Sequence, residues 1–93
     1  MKILEKILSD AKQRAVLINE FQARMWNGNG YGNDENINNI LSELAYDLDF
    51  YEPNEEWRKE SHSYYGEERF KYEVQCALQK IKEYKSSTVL NRL

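Results

Sequence analysis

A chain of 93 residues with net charge −3, 31% charged residues and a mean hydropathy of −0.87 has room for one domain and one modest core. No apolar run approaches the roughly 20 residues that a bilayer-spanning helix needs, and the opening MKILEKILSDAKQR, broken by Glu5, Lys6 and Asp10, does not read as a signal peptide. Cys76 is the only cysteine, which excludes an intramolecular disulfide and favours a cytoplasmic home.

Residues 2–26 carry a helical pattern. Ile3, Leu4, Ile7, Leu8, Ala11, Ala15, Ile18, Phe21 and Met25 recur at spacings of three and four, as one apolar stripe requires. The stripe drifts at Ser9-Asp10, both good capping residues. One long helix and two helices, about 2–9 and 11–26, fit equally well.

The stretch NGNGYGN, residues 27–33, predicts an interhelix loop, with Gly28 just past a helix end. Its glycine spacing lacks the Lys-Ser/Thr of a nucleotide-binding loop and the strand of a dinucleotide fold. Asp34 or Asn36 is placed to cap a second helix running to about Glu52. Its core side carries Ile37, Ile40, Leu41, Leu44, Leu48 and Tyr51, while Tyr46 and Phe50, four apart, share the opposite face. Pro53 ends this helix, because the residue before proline is pushed out of the α region. Asn54 then caps a short turn, EEWRKE, anchored by Trp57. SHSYYG leads into a last helix over about 67–85, with Phe70, Val74, Ala77, Leu78, Ile81 and Tyr84 as its apolar side. Glu67 and Glu68 in its first turn and Lys80, Lys82 and Lys85 in its last turns suit the helix dipole. Residues 86–93 lack a clear period, although Val89, Leu90 and Leu93 offer docking groups. No strand pattern emerges. The fold expected for residues 1–93 is all-α: a single-domain bundle of three to four antiparallel helices.

Chemistry-bearing residues are sparse. His62 is the sole histidine and reads as a loop or capping group, and Ser61-His62-Ser63 are adjacent in sequence, which is no triad geometry. Cys76 reads as a half-buried small hydrophobe. One Cys and one His do not make a zinc site, and Asp47 and Asp49 point to different sides of a helix without a calcium-loop pattern. The pattern therefore predicts neither an enzyme, nor a metal site, nor a cofactor.

Charge is unevenly spread. Residues 1–26 hold five basic and three acidic groups (net +2), residues 27–60 two basic and nine acidic groups (net −7), and residues 61–93 six basic and four acidic groups (net +2). The acidic third is also aromatic. Glu43, Asp47, Asp49, Glu52, Glu55, Glu56 and Glu60 alternate with Tyr46, Phe50, Tyr51, Trp57, Tyr64 and Tyr65. Such a surface repels nucleic acid and attracts a basic protein. The alternative is that the rings are core and the acids a solvated helix face.

The segment LSELAYDLDFYEPNEEWRKESHSYYGEERFKYEVQCALQKI, residues 41–81, resembles small all-helical bacterial immunity proteins. An apolar helix ends in acidic-aromatic D-x-D-x-Y-x-P, a charged turn follows, and Y-Y-G-E-E opens an amphipathic helix. The pattern is similar to immunity proteins of contact-dependent growth inhibition systems and, more distantly, to those of the colicin D type. The resemblance implies 1:1 binding and neutralisation of the C-terminal nuclease domain of a toxin, often a tRNA-cleaving RNase. It further implies acidic groups where the substrate's phosphates would lie, here Asp47, Asp49 and Glu52, with Tyr51, Pro53, Tyr64, Tyr65 and Gly66 matching the flanking motifs. Together with the charge pattern, the expected partner-binding residues are Glu43, Tyr46, Asp47, Asp49, Phe50, Glu52, Glu55, Glu56, Trp57 and Tyr64. A regulatory or adaptor module binding another basic cytosolic protein through the same surface is the alternative, and a homodimer through Tyr46 and Phe50 a less favoured one.

Overall fold

In a computed structural model, described for residues 2–28 and 30–91 and for side chains to residue 87, the described residues form five helices and no strand. They are α1 (Lys2–Ser9), α2 (Arg14–Trp26), α3 (Glu35–Leu48), α4 (Glu55–Arg58) and α5 (Glu67–Asn91). The all-α expectation holds. The four longer helices close a ring of contacts: α1 packs on α2, α2 on α3, α3 on α5, and α5 back on α1. α5 runs antiparallel to α3, since Asn36 meets Tyr84 at one end of the pair while Asp47 and Glu73 line the same notch near the other.

The core holds Leu4 and Ile7 from α1, Ile18, Phe21 and Met25 from α2, Leu41, Leu44, Ala45 and Leu48 from α3, and Phe70, Val74, Ala77 and Ile81 from α5. Tyr65, ahead of α5, completes it. Each set repeats at three or four residues, so every helix buries one stripe. Fully burying each large aliphatic or aromatic side chain contributes about 1.5–3 kcal/mol.

The α1–α2 break resolves the open alternative in favour of two helices. Asp10 Oδ1 accepts from the Gln13 amide at 3.1 Å, bending residues 10–13 into a turn. α2 then starts at Arg14 rather than residue 11. This rotates the helix so that Ala11 and Ala15, expected in the core, are exposed, and Arg14 and Gln22 are buried instead.

Arg14 is buried because α1 ends on it. Its Nε donates to the Ile7 carbonyl and its Nη2 to the Leu8 carbonyl, both at 2.8 Å, satisfying acceptors that a helix C-terminus leaves without intrahelical donors. Its Nη1 donates to Glu67 Oε1 at 2.7 Å, and its guanidinium lies 4.5 Å from the centroid of the Phe70 ring. Burial opposes the charge on Arg14, but its bonds to Tyr51 and Glu67 outweigh this and raise its pKa. Gln22 donates to the Ala45 carbonyl at 3.0 Å, stitching α2 to α3.

The glycine loop is held from both sides. Arg24 Nε donates to the Gly30 carbonyl at 2.6 Å, and its guanidinium lies 4.1 Å from the Tyr31 ring centroid. Asn38 accepts from the Tyr31 amide and donates to the Gly32 carbonyl. Gly30 has φ +56°, and a Cβ there would crowd Asn38 Oδ1 at 2.9 Å, so both backbone and neighbour favour glycine. Asp34 caps α3 by accepting from the Asn36 and Ile37 amides at 3.0 and 3.2 Å, and Asn54 caps α4 from the Glu56 and Trp57 amides at 2.9 and 3.3 Å.

Two helix ends differ from expectation. α3 stops at Leu48, not near Glu52. Three successive amides, Asp49, Phe50 and Tyr51, bond three residues back, tightening the last turn, and the chain then leaves the helix. Tyr51 pairs with Tyr65 in an isolated parallel bridge: the Tyr65 amide donates to Phe50 O at 3.0 Å and the Glu52 amide to Tyr65 O at 2.9 Å. α5 continues to Asn91, beyond the expected end near Lys85, because residues 67–91 contain neither glycine nor proline. Lys80, Lys82 and Lys85 therefore lie short of its last turn. The side chains of Val89, Leu90 and Leu93 fall outside the described residues.

Candidate functional site

The ten expected binding residues divide between two places. Glu43, Tyr46, Asp47, Asp49 and Phe50 belong to α3 and the turn that ends it; Glu52, Glu55, Glu56, Trp57 and Tyr64 belong to the segment that leaves α3 and returns to α5. The Tyr51–Tyr65 bridge closes that segment at its base.

On α3, Tyr46 is 67% exposed and meets Phe50 edge-on with ring centroids 5.6 Å apart. Phe50 does not face outward as expected. It is half-buried against the core, because α3 has ended before it. Tyr51 lies outside the helix and stacks on Phe70 at 4.4 Å. Glu43 and Asp49 are exposed, and among the described residues neither makes an ion pair.

On the second segment, Trp57 is 59% and Tyr64 37% exposed. The acids here are partly occupied. Glu55 faces Arg58 at 3.8 Å, Glu56 faces Lys59 at 3.5 Å, and Glu52 Oε1 accepts from the Asn54 amide at 3.1 Å. α4 thus presents alternating charge, a weaker attractor than the acidic run in the sequence suggested.

Asp47 is the group whose setting departs furthest from a solvated carboxylate. Its Oδ2 is buried without a hydrogen-bond partner, and the hydroxyl of Tyr65 donates to its backbone carbonyl at 2.7 Å. It lines a notch of about 180 Å³ between α3 and α5, together with Glu43 and, from α5, Glu73, Cys76 and Lys80. Burial first, and then the neighbouring Glu73 carboxyl, raise the pKa of Asp47, with Arg69 opposing them. Arg69 is engaged elsewhere, bonded to Glu73 Oε1 at 3.4 Å and 4.9 Å from the Tyr65 ring centroid. Burial, with Asp47 and Glu73 next, also raises the Tyr65 pKa well above its ordinary value.

Tyr72 was missed in the sequence. It is 63% exposed on α5, one position before Glu73 and four before Cys76. The signal was available: it lies off the Phe70-Val74-Ala77-Ile81 stripe, as Tyr46 lies off the stripe of α3. Cys76 itself is half-buried, as expected.

A larger cleft, about 280 Å³, lies between α2 and the end of α3, lined by Arg14, Ile18, Gln22, Leu48 and Tyr51 among others. Arg14 there is committed to two carbonyls and Glu67. His62 is exposed. Among the described residues no group of three or more His, Cys, Asp or Glu is placed to hold a metal ion, and no helix is long and apolar enough to cross a membrane. Comparison with known protein families, with curated proteins and with solved structures finds no match.

Proposed function

We propose that this protein is an immunity protein that binds the basic nuclease domain of a bacterial toxin and covers its RNA-binding or active-site cleft. The observation that carries the reading is the exposed Tyr46, braced by Phe50, with the exposed carboxylates Glu43 and Asp49 three residues to either side of it. A rigid ring among carboxylates supplies contact area and attraction for a basic surface. The net −7 of residues 27–60 and the resemblance of residues 41–81 to growth-inhibition immunity proteins support the same partner.

The test is a pull-down from the native host at low salt with the tagged protein as bait. The reading expects one basic nuclease fragment, released as salt rises, whose RNA cleavage stops on adding the protein. Recovery of a regulator or metabolic enzyme in its place would sink the reading and promote the adaptor role.

A further inference from the structure

We propose that the cleft between α2 and the end of α3 is a binding site for a neutral aromatic ring that carries one hydrogen-bond donor, as indole does, either free or as a tryptophan side chain. The site goes beyond the reading above: of the ten expected partner-binding residues, Asp49 alone lines it.

Gln22 is what calls for a ligand. It is 6% exposed and lines the cleft. Its Nε2 donates to the Ala45 carbonyl at 3.0 Å, which fixes the amide, and among the described residues no donor meets its Oε1. The sealed side-chain atoms without a partner are Asp47 Oδ2 and Arg58 Nε; Gln22 Oε1 is not one of them, so it keeps surface that a molecule in the cleft can reach. A fixed acceptor set this deep favours an occupant that brings a donor to it.

The rest of the lining sets the size and polarity of that occupant. Beside Gln22 the cleft is bounded by Ile18 and Leu48, both buried, and by the exposed Ala15, whose wall stops at a methyl group. A volume of about 280 Å³ lies just under the roughly 300–1,000 Å³ of sites for drug-sized ligands, so a single fused ring fits and a nucleotide does not.

Charge removes the other classes of ligand. Arg14 lines the cleft, but its Nε, Nη1 and Nη2 already donate to Ile7, Glu67 and Leu8. An anion would compete with those three bonds and meet the exposed Asp49, which repels it. A cation drawn in by Asp49 would come to lie against the Arg14 guanidinium. A neutral ring meets neither obstacle: its faces lie on Ile18 and Leu48, and the N–H at its edge serves Gln22.

The experiment titrates the full-length protein, by two-dimensional amide NMR, with indole, with benzothiophene (the same shape without the N–H) and with N-acetyltryptophanamide. The expected result is a set of shifts centred on Ala15, Ile18, Gln22 and Leu48, the Gln22 side-chain amide among them, with indole at least threefold tighter than benzothiophene. Ala15→Leu fills the cleft from an exposed position and should weaken indole at least tenfold while the spectrum stays dispersed. Gln22→Met should bring indole down to the level of benzothiophene; should that variant not fold, Ala15→Leu and the benzothiophene comparison in the parent still decide. A response to N-acetyltryptophanamide equal to that of indole assigns the site to a tryptophan of a partner, and a response to indole alone assigns it to a free small molecule. Shifts centred elsewhere, benzothiophene bound as tightly as indole by the parent, or binding unchanged by Ala15→Leu would overturn the proposal.

Discussion

Arg14 and Glu67, 53 positions apart, meet at 2.7 Å and tie three elements together: the end of α1 through Ile7 and Leu8, the start of α2, and the first turn of α5. The two partners are unequal. The Arg14 side chain is 9% exposed and that of Glu67 48%. We predict that Arg14→Ala costs about 3 kcal/mol, because it strips two helix-end carbonyls of their donors as well as breaking the pair. Glu67→Gln should cost less than about 1 kcal/mol, since solvent screens its side of the pair. Urea unfolding of both variants checks this, and equal losses would contradict the asymmetry.

Gly66 is crowded by a neighbour rather than strained in its backbone. A Cβ at this position would run into the guanidinium of Arg58, whose buried Nε has no hydrogen-bond partner. Gly66→Ala should destabilise the fold by about 1 kcal/mol. In the Arg58→Ala background the same change should cost nothing measurable, which a double-mutant cycle on unfolding free energies reads directly. Additive losses would show that Arg58 is not what excludes the methyl group.

Two carboxyls give stability opposite dependences on pH. Asp47 has a raised pKa in the folded state, so the native protein holds its proton more firmly than the unfolded chain does. Its contribution is present below the ordinary Asp value and is lost as pH rises through the raised one. Glu67 is the reverse. Burial works against its charge, but hydrogen bonds from Arg14 and Tyr51 prevail and lower its pKa, so its contribution is present above the ordinary Glu value and is lost as pH falls. Asp47→Asn should therefore be more stable than the parent at neutral pH, with the gap closing toward pH 4. Glu67→Gln should be less stable at neutral pH, and its gap should close as pH falls below the ordinary Glu value. Thermal midpoints at pH 3, 4, 5, 6 and 7 measure both, and parallel curves for Asp47→Asn and the parent would contradict the first.

Tyr46 should separate binding from folding. It is 67% exposed and touches the fold through the edge of Phe50. We predict that Tyr46→Ala costs less than about 1 kcal/mol of stability. On the proposed function it should weaken toxin binding at least tenfold, about 1.4 kcal/mol. Calorimetric titration against the captured nuclease decides, and affinity within threefold of the parent would remove Tyr46 from the interface.

Local signals in the sequence were reliable where one side chain settles one backbone group. Asp34 and Asn54 cap the helices they precede, and residues 27–28 and 30–33 lie outside any helix, because these outcomes need only neighbours in sequence. Arg14 was illegible, since an arginine beside an alanine stripe looks solvated until α1 ends on it. The early end of α3 was illegible for a similar reason: Tyr51 leaves the helix to meet Tyr65, and nothing between them announces that pairing. At the candidate site, Tyr46 and its acids were readable from spacing. The pairing of Glu55 and Glu56 with Arg58 and Lys59 was readable too, at i,i+3, but was hidden by counting charge over a whole stretch. The Asp47–Glu73 juxtaposition depends on the register of two helices and is visible only in the fold.

The bridge between Tyr51 and Tyr65 has a consequence for how the molecule changes over generations. It clamps the two ends of residues 52–64 together by backbone bonds, which do not depend on the side chains in between. No residue of α4 is buried in the bundle core. The segment is therefore a cassette: its composition, and to a degree its length, is free to drift without the helices having to follow, since lengthening a closed loop costs little. A lineage pressed to match a changing partner would find its cheapest novelty there, while the α3–α5 face, bound to the register of two packed helices, would change slowly.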